Sequence, residues 1–324
     1  MTPAASNSIA SVLVVAPARL HFGLFTFGGA GRTYGGVGAA IAEPALRLRL
    51  TPAEHFSATG PHAQRVRKFA AAWQAFHRRD ALPAWSVTVE AAPPEHVGLG
   101  LGTQLGLATA AGLNAAHQLP PHALTELALC AGRGERSSVG THAFSLGGLI
   151  VEGGKESDEV LSPLECRMPL PDDWRFVLAR PATTAGLSGA AELQAFCDLP
   201  PVAPTTRQTL VNEVSERMLP ALAAADFEAF SLSVTRFGRI AGLCYEQQQG
   251  GPYNGPLLNR LVATLQRQGV AGVGQSSWGP TIFGLAPSQA AAEEQIDRLT
   301  ETFDTPLTLS IAAPNNTGAV ITVR

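Results

Sequence analysis

Three glycines at alternate positions, Gly98, Gly100 and Gly102, lie between a strand-like segment and an alanine-rich helical segment. A strand does not favour this spacing, because every glycine increases the backbone entropy lost on folding. An ordinary turn needs one or two glycines rather than three in alternation. The order strand, glycine loop and helix instead aims several backbone N–H groups at an anion, and the helix dipole adds about half a positive charge there. The spacing therefore indicates an anion-binding loop; a glycine-rich helix entry without a ligand is the alternative.

The basic residues limit how this loop can hold a phosphate. Lys68 and Lys155 are the only lysines among 23 basic side chains, and Lys155 precedes Glu156, so the Gly-Lys-Ser/Thr signature of a P-loop is absent. The glycines also lack the GxGxxG spacing and the following acid of a dinucleotide fold. Phosphate recognition is therefore expected to use backbone N–H groups and arginine side chains. Thr103 is placed to cap the helix or to offer a hydroxyl to a Mg²⁺ ion held by the phosphate.

A second glycine-rich block, "GRGERSSVGTHAF", places Arg133, Arg136, Ser137, Ser138 and His142 among glycines. Two arginines three residues apart, flanked by hydroxyls, suit a carboxylate or phosphate bound by two parallel hydrogen bonds. The alternative is a solvated loop in which the arginines form surface ion pairs.

A third block, "GVGQSSWGP", repeats the pattern in the second half of the chain. Gln275, Ser276 and Ser277 offer hydrogen-bond donors, and Trp278 offers a flat aromatic face. The alternative is a hairpin turn with Trp278 in the core.

Arg19 and His21 lie two residues apart in "ARLHFGL", so a strand would place both side chains on one face. A strand histidine is either a hydrogen-bonded core residue or part of a site. Together with the three glycine blocks, these residues predict a single polar cleft between two domains, a common location for ligand sites.

Composition limits the class of protein. The 324 residues, 45% hydrophobic and 15% charged, predict a globular protein of two domains. A formal charge of −3 gives no general attraction to nucleic acid, and the longest apolar runs fall short of a membrane span or signal segment, so a cytoplasmic location is expected. Cys130, Cys166, Cys197 and Cys244 are far apart and are expected to be reduced, structural thiols.

The hydrophobic periodicity alternates between strands and helices, which predicts an α+β sandwich. The first domain is expected at residues 1–168 and the second at 169–324. Strands are expected at 11–24 with a break at Pro17, and at 39–50, 85–93, 149–151, 173–181, 281–286 and 307–312; helices are expected at 62–79, 103–117, 121–131, 206–224, 226–241, 254–268 and 288–302.

The stretches "PPEHVGLGLGTQLGLA", "GRGERSSVGTHAFSLGGLIVEGG" and "ARLHFGL" resemble the GHMP kinase superfamily, and within it the β-ribofuranosylaminobenzene 5'-phosphate synthases. The resemblance covers nearly the whole chain. It implies a two-domain fold: an N-terminal βαβ-containing domain with a glycine-rich phosphate loop, followed by a C-terminal ferredoxin-like α/β sandwich. It also implies a homodimer.

The resemblance implies a reaction other than phosphate transfer. Such enzymes join 4-aminobenzoate, or a related 4-substituted benzoate, to phosphoribosyl pyrophosphate, with loss of carbon dioxide and pyrophosphate, in tetrahydromethanopterin biosynthesis. The implied cofactor is Mg²⁺, held at Thr103. The residues that the resemblance assigns to pyrophosphate are Gly98, Leu99, Gly100, Gly102, Thr103 and Gln104. Arg19, His21 and Arg136 are assigned to the reacting centre, and the substrates to Arg133, Ser137, Ser138, His142, Gln275, Ser276, Ser277 and Trp278.

Two other functions stay open at this point. One is an ATP-dependent kinase of small molecules, although the three glycine blocks contain no aspartate to serve as its base. The other is a homologue that binds ligands without catalysis. Leu101 stands where serine is expected, and Ser138 where glycine is expected; the loss of a loop hydroxyl keeps this second function open.

Overall fold

A computed structural model describes residues 9–182 and 199–324. Its strands are β1 (Val12–Leu24), β2 (Gly36–Pro52), β3 (Ser57–Thr59), β4 (Trp85–Ala91), β5 (Leu149–Glu152), β6 (Leu164–Met168), β7 (Arg175–Pro181), β8 (Val273–Gln275), β9 (Ile282–Ala286), β10 (Leu307–Ala312) and β11 (Val320–Val323). Its helices are α1 (Ala63–Phe76), α2 (Leu101–Ala116), α3 (Leu124–Cys130), α4 (Val139–Leu146), α5 (Pro204–Asn212), α6 (Leu219–Ala223), α7 (Phe227–Leu243), α8 (Glu246–Gln249), α9 (Gly255–Arg267) and α10 (Gln289–Thr302), with a π-helical segment, Glu213–Met218, between α5 and α6.

The first sheet is built around the long strands β1 and β2. Its order is β11-β1-β2-β4-β3. In addition, β5 pairs with the N-terminal part of β2, and β6 pairs with β5. The predicted break at Pro17 is wrong, because β1 is continuous through this residue. The β1–β2 register shifts between Ala16 and Ala18, so a local irregularity accommodates the proline, which cannot donate a ladder hydrogen bond.

Helix α2 lies against the first sheet and is buried along most of its length. Gly112 allows this close approach, since a Cβ there would lie 2.9 Å from a methyl group of Leu50. The helix begins at Leu101, two residues earlier than expected. The helix therefore starts directly after the second loop glycine, Gly100, so the glycine loop forms its N-terminal end.

The second sheet is antiparallel in the order β10-β7-β9-β8. Alternate residues of β7 face opposite sides: Phe176 and Leu178 belong to a cluster that also contains Leu20 of β1, whereas Ala179 packs with α9. Both halves of the chain thus share one hydrophobic core. The predicted α+β class is confirmed.

The boundary predicted at residue 168 coincides with the end of β6. However, β11 returns to the first sheet and pairs with β1 in antiparallel register, with Val12 opposite Val323. The last strand of the chain therefore completes the N-terminal sheet.

Three thiols, those of Cys130, Cys166 and Cys244, are free. Burial raises the pKa of Cys130 to about 12, which makes it unreactive. Cys197 lies outside the described residues. Among the described helices, none combines the length and the apolar character needed to cross a bilayer.

Candidate active site

The glycine loop has a backbone that L-residues adopt only with strain. Gly98 and Gly100 have φ values of +88° and +76°. A Cβ at Gly100 would lie 2.7 Å from Cγ of Arg19, and one at Gly98 would collide with the carbonyl oxygen of Ser276. Both glycines are therefore required by conformation and by space.

The carbonyl groups of the loop are held by the protein. The Gly98 oxygen accepts a hydrogen bond from Nη1 of Arg19 at 2.7 Å and another from Oγ of Ser276 at 2.7 Å. The backbone N–H of Arg19 donates to the Leu99 oxygen at 3.1 Å. These bonds fix the peptide planes, so the N–H groups on their opposite edges point away from the scaffold.

The N–H groups of the loop have no acceptor in the part of the chain that the structure describes. From Gly98 to Gly102, five consecutive backbone N–H groups donate to no acceptor within residues 9–182 and 199–324. The first bonded N–H is that of Thr103, which donates to the Gly100 oxygen at 3.0 Å. Five orphan donors at a helix N-terminus form a site for an anion.

Two arginines reach the same end of α2. A Cβ at Gly102 would lie 2.6 Å from Nη2 of Arg65 and 3.6 Å from Nη2 of Arg133. Arg65 is also paired with Glu95, at 2.7 Å between Nη1 and Oε1, and this contact lowers the pKa of Glu95. Burial lowers the pKa of Arg133, and the charges of Arg65 and Arg136 act in the same direction. The clustering of cations thus calls for an anionic partner.

The residues around these groups enclose a phosphate compartment with about 1150 Å³ of empty space, part of it open to solvent. It is lined by the glycine loop together with Arg19, Arg65, Arg133, Arg136 and Glu135. Sequence patterns did not identify Arg65, although its position in the first turn of a basic helix was a usable signal.

An aromatic compartment of about 850 Å³ adjoins it. Tyr34, Tyr245 and Trp278 are among its lining residues. Tyr245 and Trp278 are largely buried, and their rings meet edge to face at 5.2 Å between centroids, with Tyr245 also stacked on Phe27. The two compartments share part of their lining: Arg19, Thr103, Arg136, Ser277 and Trp278. An anion and a flat ring can therefore bind side by side, with arginines between them.

The third glycine block holds this wall in place. The backbone N–H of His21 donates to Oγ of Ser276 at 3.0 Å, and the N–H of Ser277 donates to the His21 oxygen at 3.1 Å. Gln275 lines the aromatic compartment, and its Nε2 donates to the Ser277 oxygen at 2.9 Å. Ser276 is fully buried, so it joins β1 to the glycine loop and does not itself face the compartment.

His21 belongs to a buried hydrogen-bonded chain that the sequence patterns missed. Its Nε2 lies 2.9 Å from Oγ of Ser137, which lies 2.5 Å from Oε1 of Glu152. The other carboxylate oxygen, Oε2, accepts the backbone N–H of Ser138 at 2.6 Å. Glu152 ends the apolar strand β5 and has no solvent exposure. A charged residue ending an otherwise apolar run was the available sequence signal.

The environment shifts the pKa of both titratable groups in this chain. Burial lowers the pKa of His21 to about 3, helped by the charges of Arg19 and Arg136, so the imidazole is neutral. Burial raises the pKa of Glu152 to about 7, against the hydrogen bonds from Ser137 and Ser138 that favour its carboxylate.

Three predicted site residues point elsewhere. His142 Nε2 lies 2.8 Å from the Ser162 oxygen, and Oγ of Ser138 accepts the N–H of Ser162 at 3.0 Å. Gln104 is buried, and its Nε2 donates to the Gly140 oxygen at 2.8 Å. These contacts join α2 and α4 to the loop before β6 and lie behind the compartments. In this geometry the three side chains contact protein atoms and do not line either compartment.

The described residues by themselves offer few ligands to a metal ion. Thr103 lines both compartments and directly follows the glycine loop in the sequence. Within the described ranges, no group of three or more His, Cys, Asp or Glu side chains is arranged to hold a metal. A magnesium ion here would need oxygen ligands from a bound phosphate as well as from Thr103 and water, which is the usual pattern for this ion.

Comparisons with known proteins agree with this architecture. Family models of the GHMP kinases match residues 65–148 (N-terminal domain) and 218–305 (C-terminal domain). The beta-ribofuranosylphenol 5'-phosphate synthase of Archaeoglobus fulgidus is 30% identical over 296 residues, which cover 86% of this chain and 89% of that protein. The enzyme of the same name from Methanothermobacter thermautotrophicus is 29% identical over 298 residues, with the same coverage. Homoserine kinase from Cytophaga hutchinsonii has a similar fold, with a TM-score of 0.65, 15% identity, and coverage of 98% of this chain and 99% of that chain.

Proposed function

Because this chain belongs to the beta-ribofuranosylphenol 5'-phosphate synthase family within the GHMP kinase fold, we propose that it is a transferase that forms a C-riboside 5'-phosphate. The proposed donor is phosphoribosyl pyrophosphate, and the proposed acceptor is a 4-substituted benzoate. Carbon dioxide and pyrophosphate are the other products. The proposed metabolic role is an early step of tetrahydromethanopterin biosynthesis.

The observation that carries the proposal is the row of five free N–H groups beside the arginines of the phosphate compartment. As pyrophosphate leaves, negative charge grows on its oxygens and positive charge on ribose C1. Donors that are already oriented stabilise the leaving group without reorganising, which is electrostatic catalysis. The loop and Arg65 are assigned to the pyrophosphate, and Arg133 and Arg136 to the remaining anionic groups of the substrates.

The aromatic compartment is assigned to the benzoate ring. The ring carbon that bears the carboxylate attacks ribose C1 while the bond to pyrophosphate breaks. The bond to the carboxylate then breaks, its electron pair restores the aromatic ring, and carbon dioxide departs. Atoms and charge balance without an added base or oxidant. Arg19 and Arg136 line both compartments, which supports a binding mode in which two cations lie beside the carboxylate before it is lost.

The names of the relatives indicate which acceptor to test first. Their product is described as a ribofuranosylphenol, which corresponds to a hydroxyl substituent on the ring. We therefore expect 4-hydroxybenzoate to be the preferred acceptor, with 4-aminobenzoate as the second candidate.

Magnesium is proposed to enter with the phosphoribosyl pyrophosphate. The Thr103 hydroxyl would hold it together with water, and the ion would supply further positive charge to the leaving group.

The test uses the purified chain, phosphoribosyl pyrophosphate, Mg²⁺ and carboxyl-labelled 4-hydroxybenzoate or 4-aminobenzoate. Release of labelled carbon dioxide that depends on phosphoribosyl pyrophosphate is expected, with one pyrophosphate formed per carbon dioxide. ATP consumption without carbon dioxide would contradict the proposal and indicate a kinase. Tight binding of phosphoribosyl pyrophosphate without turnover of either benzoate would also contradict it and indicate a binding protein.

A further inference from the structure

We propose that Glu152, acting through the Ser137 hydroxyl, determines which nitrogen of His21 carries the proton. We further propose that these three hydrogen-bonded residues take up and return the proton of the acceptor's 4-substituent. This inference rests on the proposed function, because it concerns the acceptor of that reaction. Glu152 and Ser137 are positioning residues in this account, and His21 is the group that meets the substrate.

The geometry supplies an unbroken chain of hydrogen bonds from a sealed carboxylate to a compartment wall. The contacts are 2.5 Å from Glu152 Oε1 to Ser137 Oγ and 2.9 Å from Ser137 Oγ to His21 Nε2. His21 lines the aromatic compartment. Its other nitrogen, Nδ1, meets no hydrogen-bond partner within the described residues and is not sealed from solvent. Nδ1 is therefore the ring atom that remains for a ligand.

With Glu152 ionised, the carboxylate only accepts hydrogen bonds. The Ser137 hydroxyl must then donate to Glu152, and its oxygen accepts the proton on Nε2 of His21. A neutral imidazole that carries its proton on Nε2 has its lone pair on Nδ1. In this state His21 offers a hydrogen-bond acceptor, and hence a base, to the aromatic compartment.

With Glu152 protonated, every donor in the chain reverses. The carboxylic acid donates to Ser137, the Ser137 hydroxyl donates to Nε2 of His21, and the proton of the neutral ring moves to Nδ1. Oε2 continues to accept the Ser138 N–H in both states. A single proton on a residue remote from the substrate thus converts His21 from an acceptor into a donor.

The surrounding charges favour this relay over an imidazolium ion. Arg19 and Arg136 face His21, and together with burial they lower its pKa to about 3. On the other side, burial raises the pKa of Glu152 to about 7. The carboxylate of Glu165, beside Gly153, is exposed to solvent and does not contribute to this shift. A proton that reaches His21 is therefore better held at Glu152, where it neutralises a buried carboxylate.

The proton transfer fits the chemistry of the acceptor. When the ring carbon attacks ribose C1, positive charge builds on the 4-hydroxyl oxygen. Its proton passes to Nδ1 of His21, the Nε2 proton passes to Ser137, and the Ser137 proton passes to Glu152. Loss of carbon dioxide then returns the bonding electron pair to the ring as a phenolate, and the proton moves back. The bond to ribose forms, the bonds to pyrophosphate and carboxylate break, and no proton is gained or lost overall.

The first test needs neither substrate nor turnover. In histidine labelled with ¹⁵N, chemical shifts identify the ring nitrogen that carries the proton, and His21→Gln assigns the signal. For the unsubstituted protein we expect Nδ1–H at pH 5.5 and Nε2–H at pH 8.5, with a neutral ring at both. In Glu152→Gln the amide oxygen accepts the Ser138 N–H, which turns the NH2 group towards Ser137 as a donor and imitates the protonated acid. Nδ1–H is therefore expected at both pH values. The same tautomer at both pH values in the unsubstituted protein would overturn the proposal.

The second test follows kcat with 4-hydroxybenzoate across this pH range. Glu152→Gln and Ser137→Ala are expected to lower kcat roughly 100-fold, at the lower end of general acid–base effects, and to remove its rise with pH. The KM for phosphoribosyl pyrophosphate is expected to change less than threefold. Ser137→Thr, which keeps the hydroxyl, should recover most of the rate. Glu165→Gln removes an exposed carboxylate on the neighbouring strand β6 and is the matched control, with an unchanged kcat.

The outcomes separate this inference from the proposed function. If the unsubstituted protein forms no C-riboside but shows the tautomer switch, the proposed function fails while the proton chain stands. If it forms the product and the Glu152→Gln profile keeps the unsubstituted shape, the function stands and the relay is wrong.

Discussion

At the scale of single residues, Gly100 carries the strongest constraint, because its backbone is left-handed and its α-carbon faces the Arg19 side chain. Gly100→Ala is expected to weaken phosphoribosyl pyrophosphate binding by roughly tenfold or more, since a hydrogen bond to a charged group contributes about 1.5–3 kcal/mol. Isothermal titration calorimetry measures the change.

Gly132→Ala is the matched control for this substitution. Gly132 also has a positive φ, +61°, but a Cβ there would meet no atom within 4 Å. It carries the same backbone strain without the crowding. Equal loss of affinity in both variants would show that backbone strain, and not the approach of the loop to its ligand, causes the effect.

Arg65 is a residue-scale test of the phosphate compartment. Arg65→Lys replaces a planar fork with a point charge above Gly102. The KM for phosphoribosyl pyrophosphate is expected to rise roughly tenfold while the KM for the benzoate stays within about twofold. Arg67→Lys, on the exposed side of the same helix, serves as the control. An effect on the benzoate KM alone would contradict the assignment of Arg65 to the phosphate compartment.

Glu152 also gives a stability prediction with a definite sign. Burial raises its pKa to about 7 in the folded protein, above the ordinary glutamate value of 4.5, so the unfolded chain releases this proton first as pH rises. Stability is therefore lost between about pH 4.5 and pH 7, by roughly 3 kcal/mol for a shift of this size. Glu152→Gln removes this contribution.

Urea unfolding at pH 5 and pH 8 measures the difference. The unsubstituted protein is expected to lose more stability than Glu152→Gln over this interval, whereas Glu165→Gln should behave like the unsubstituted protein. Identical pH dependence in all three proteins would contradict a buried, proton-holding Glu152.

At the scale of elements, the site is held by contacts between segments far apart in the chain. Ser276 accepts the His21 N–H and donates to the Gly98 oxygen, so one hydroxyl joins β1, the glycine loop and the third glycine block. Ser276→Ala removes the acceptor of the buried His21 N–H and one of the two donors to the Gly98 oxygen, and it is expected to destabilise the protein by about 1–3 kcal/mol. It should also weaken phosphoribosyl pyrophosphate binding, although the side chain does not line the compartment.

Thermal unfolding and calorimetry check both effects of Ser276→Ala. Ser231→Ala is the control for simple loss of a core hydroxyl. Unlike Ser276, the buried Ser231 hydroxyl has no hydrogen-bond partner in the described part of the chain. Lower stability with unchanged affinity in Ser276→Ala would remove its proposed part in orienting the loop.

The elements also show what sequence can and cannot predict. Periodicity located β7 and α7 closely, because a strand or helix with one buried face leaves a repeat in the sequence. It missed α4, an eight-residue helix between glycine-rich turns, which is too short to establish a period. It placed a break at Pro17 because local propensity argues for one, whereas pairing with β2 on either side of an irregularity overrides that preference.

The candidate site was predictable in part for similar reasons. The glycine loop is recognisable in the sequence, because its backbone conformation requires glycine at Gly98 and Gly100. Arg65 and Glu152 carry no such local mark; they join the site only when α1 and β5 are brought to the ends of β1 and α2. Conversely, His142 and Gln104 belong to site-like motifs, but the fold turns them towards the contacts between α2 and α4.

At the scale of the whole molecule, the two sheets share one core, and the groove lies where they meet. Arginine side chains and the N–H groups of the glycine loop line one compartment, and aromatic side chains line the other. This arrangement suits the proposed reaction between a phosphorylated sugar and a flat acid. In that proposal the new bond forms beside Arg19 and Arg136, which border both compartments.

The measurement that tests this account most directly is a crystal structure of the protein with phosphoribosyl pyrophosphate and magnesium. Pyrophosphate oxygens are expected within about 3 Å of the N–H groups of residues 98–102, with the Arg65 guanidinium on the same group. A pyrophosphate bound elsewhere, with these five N–H groups still free or turned to protein acceptors, would contradict it.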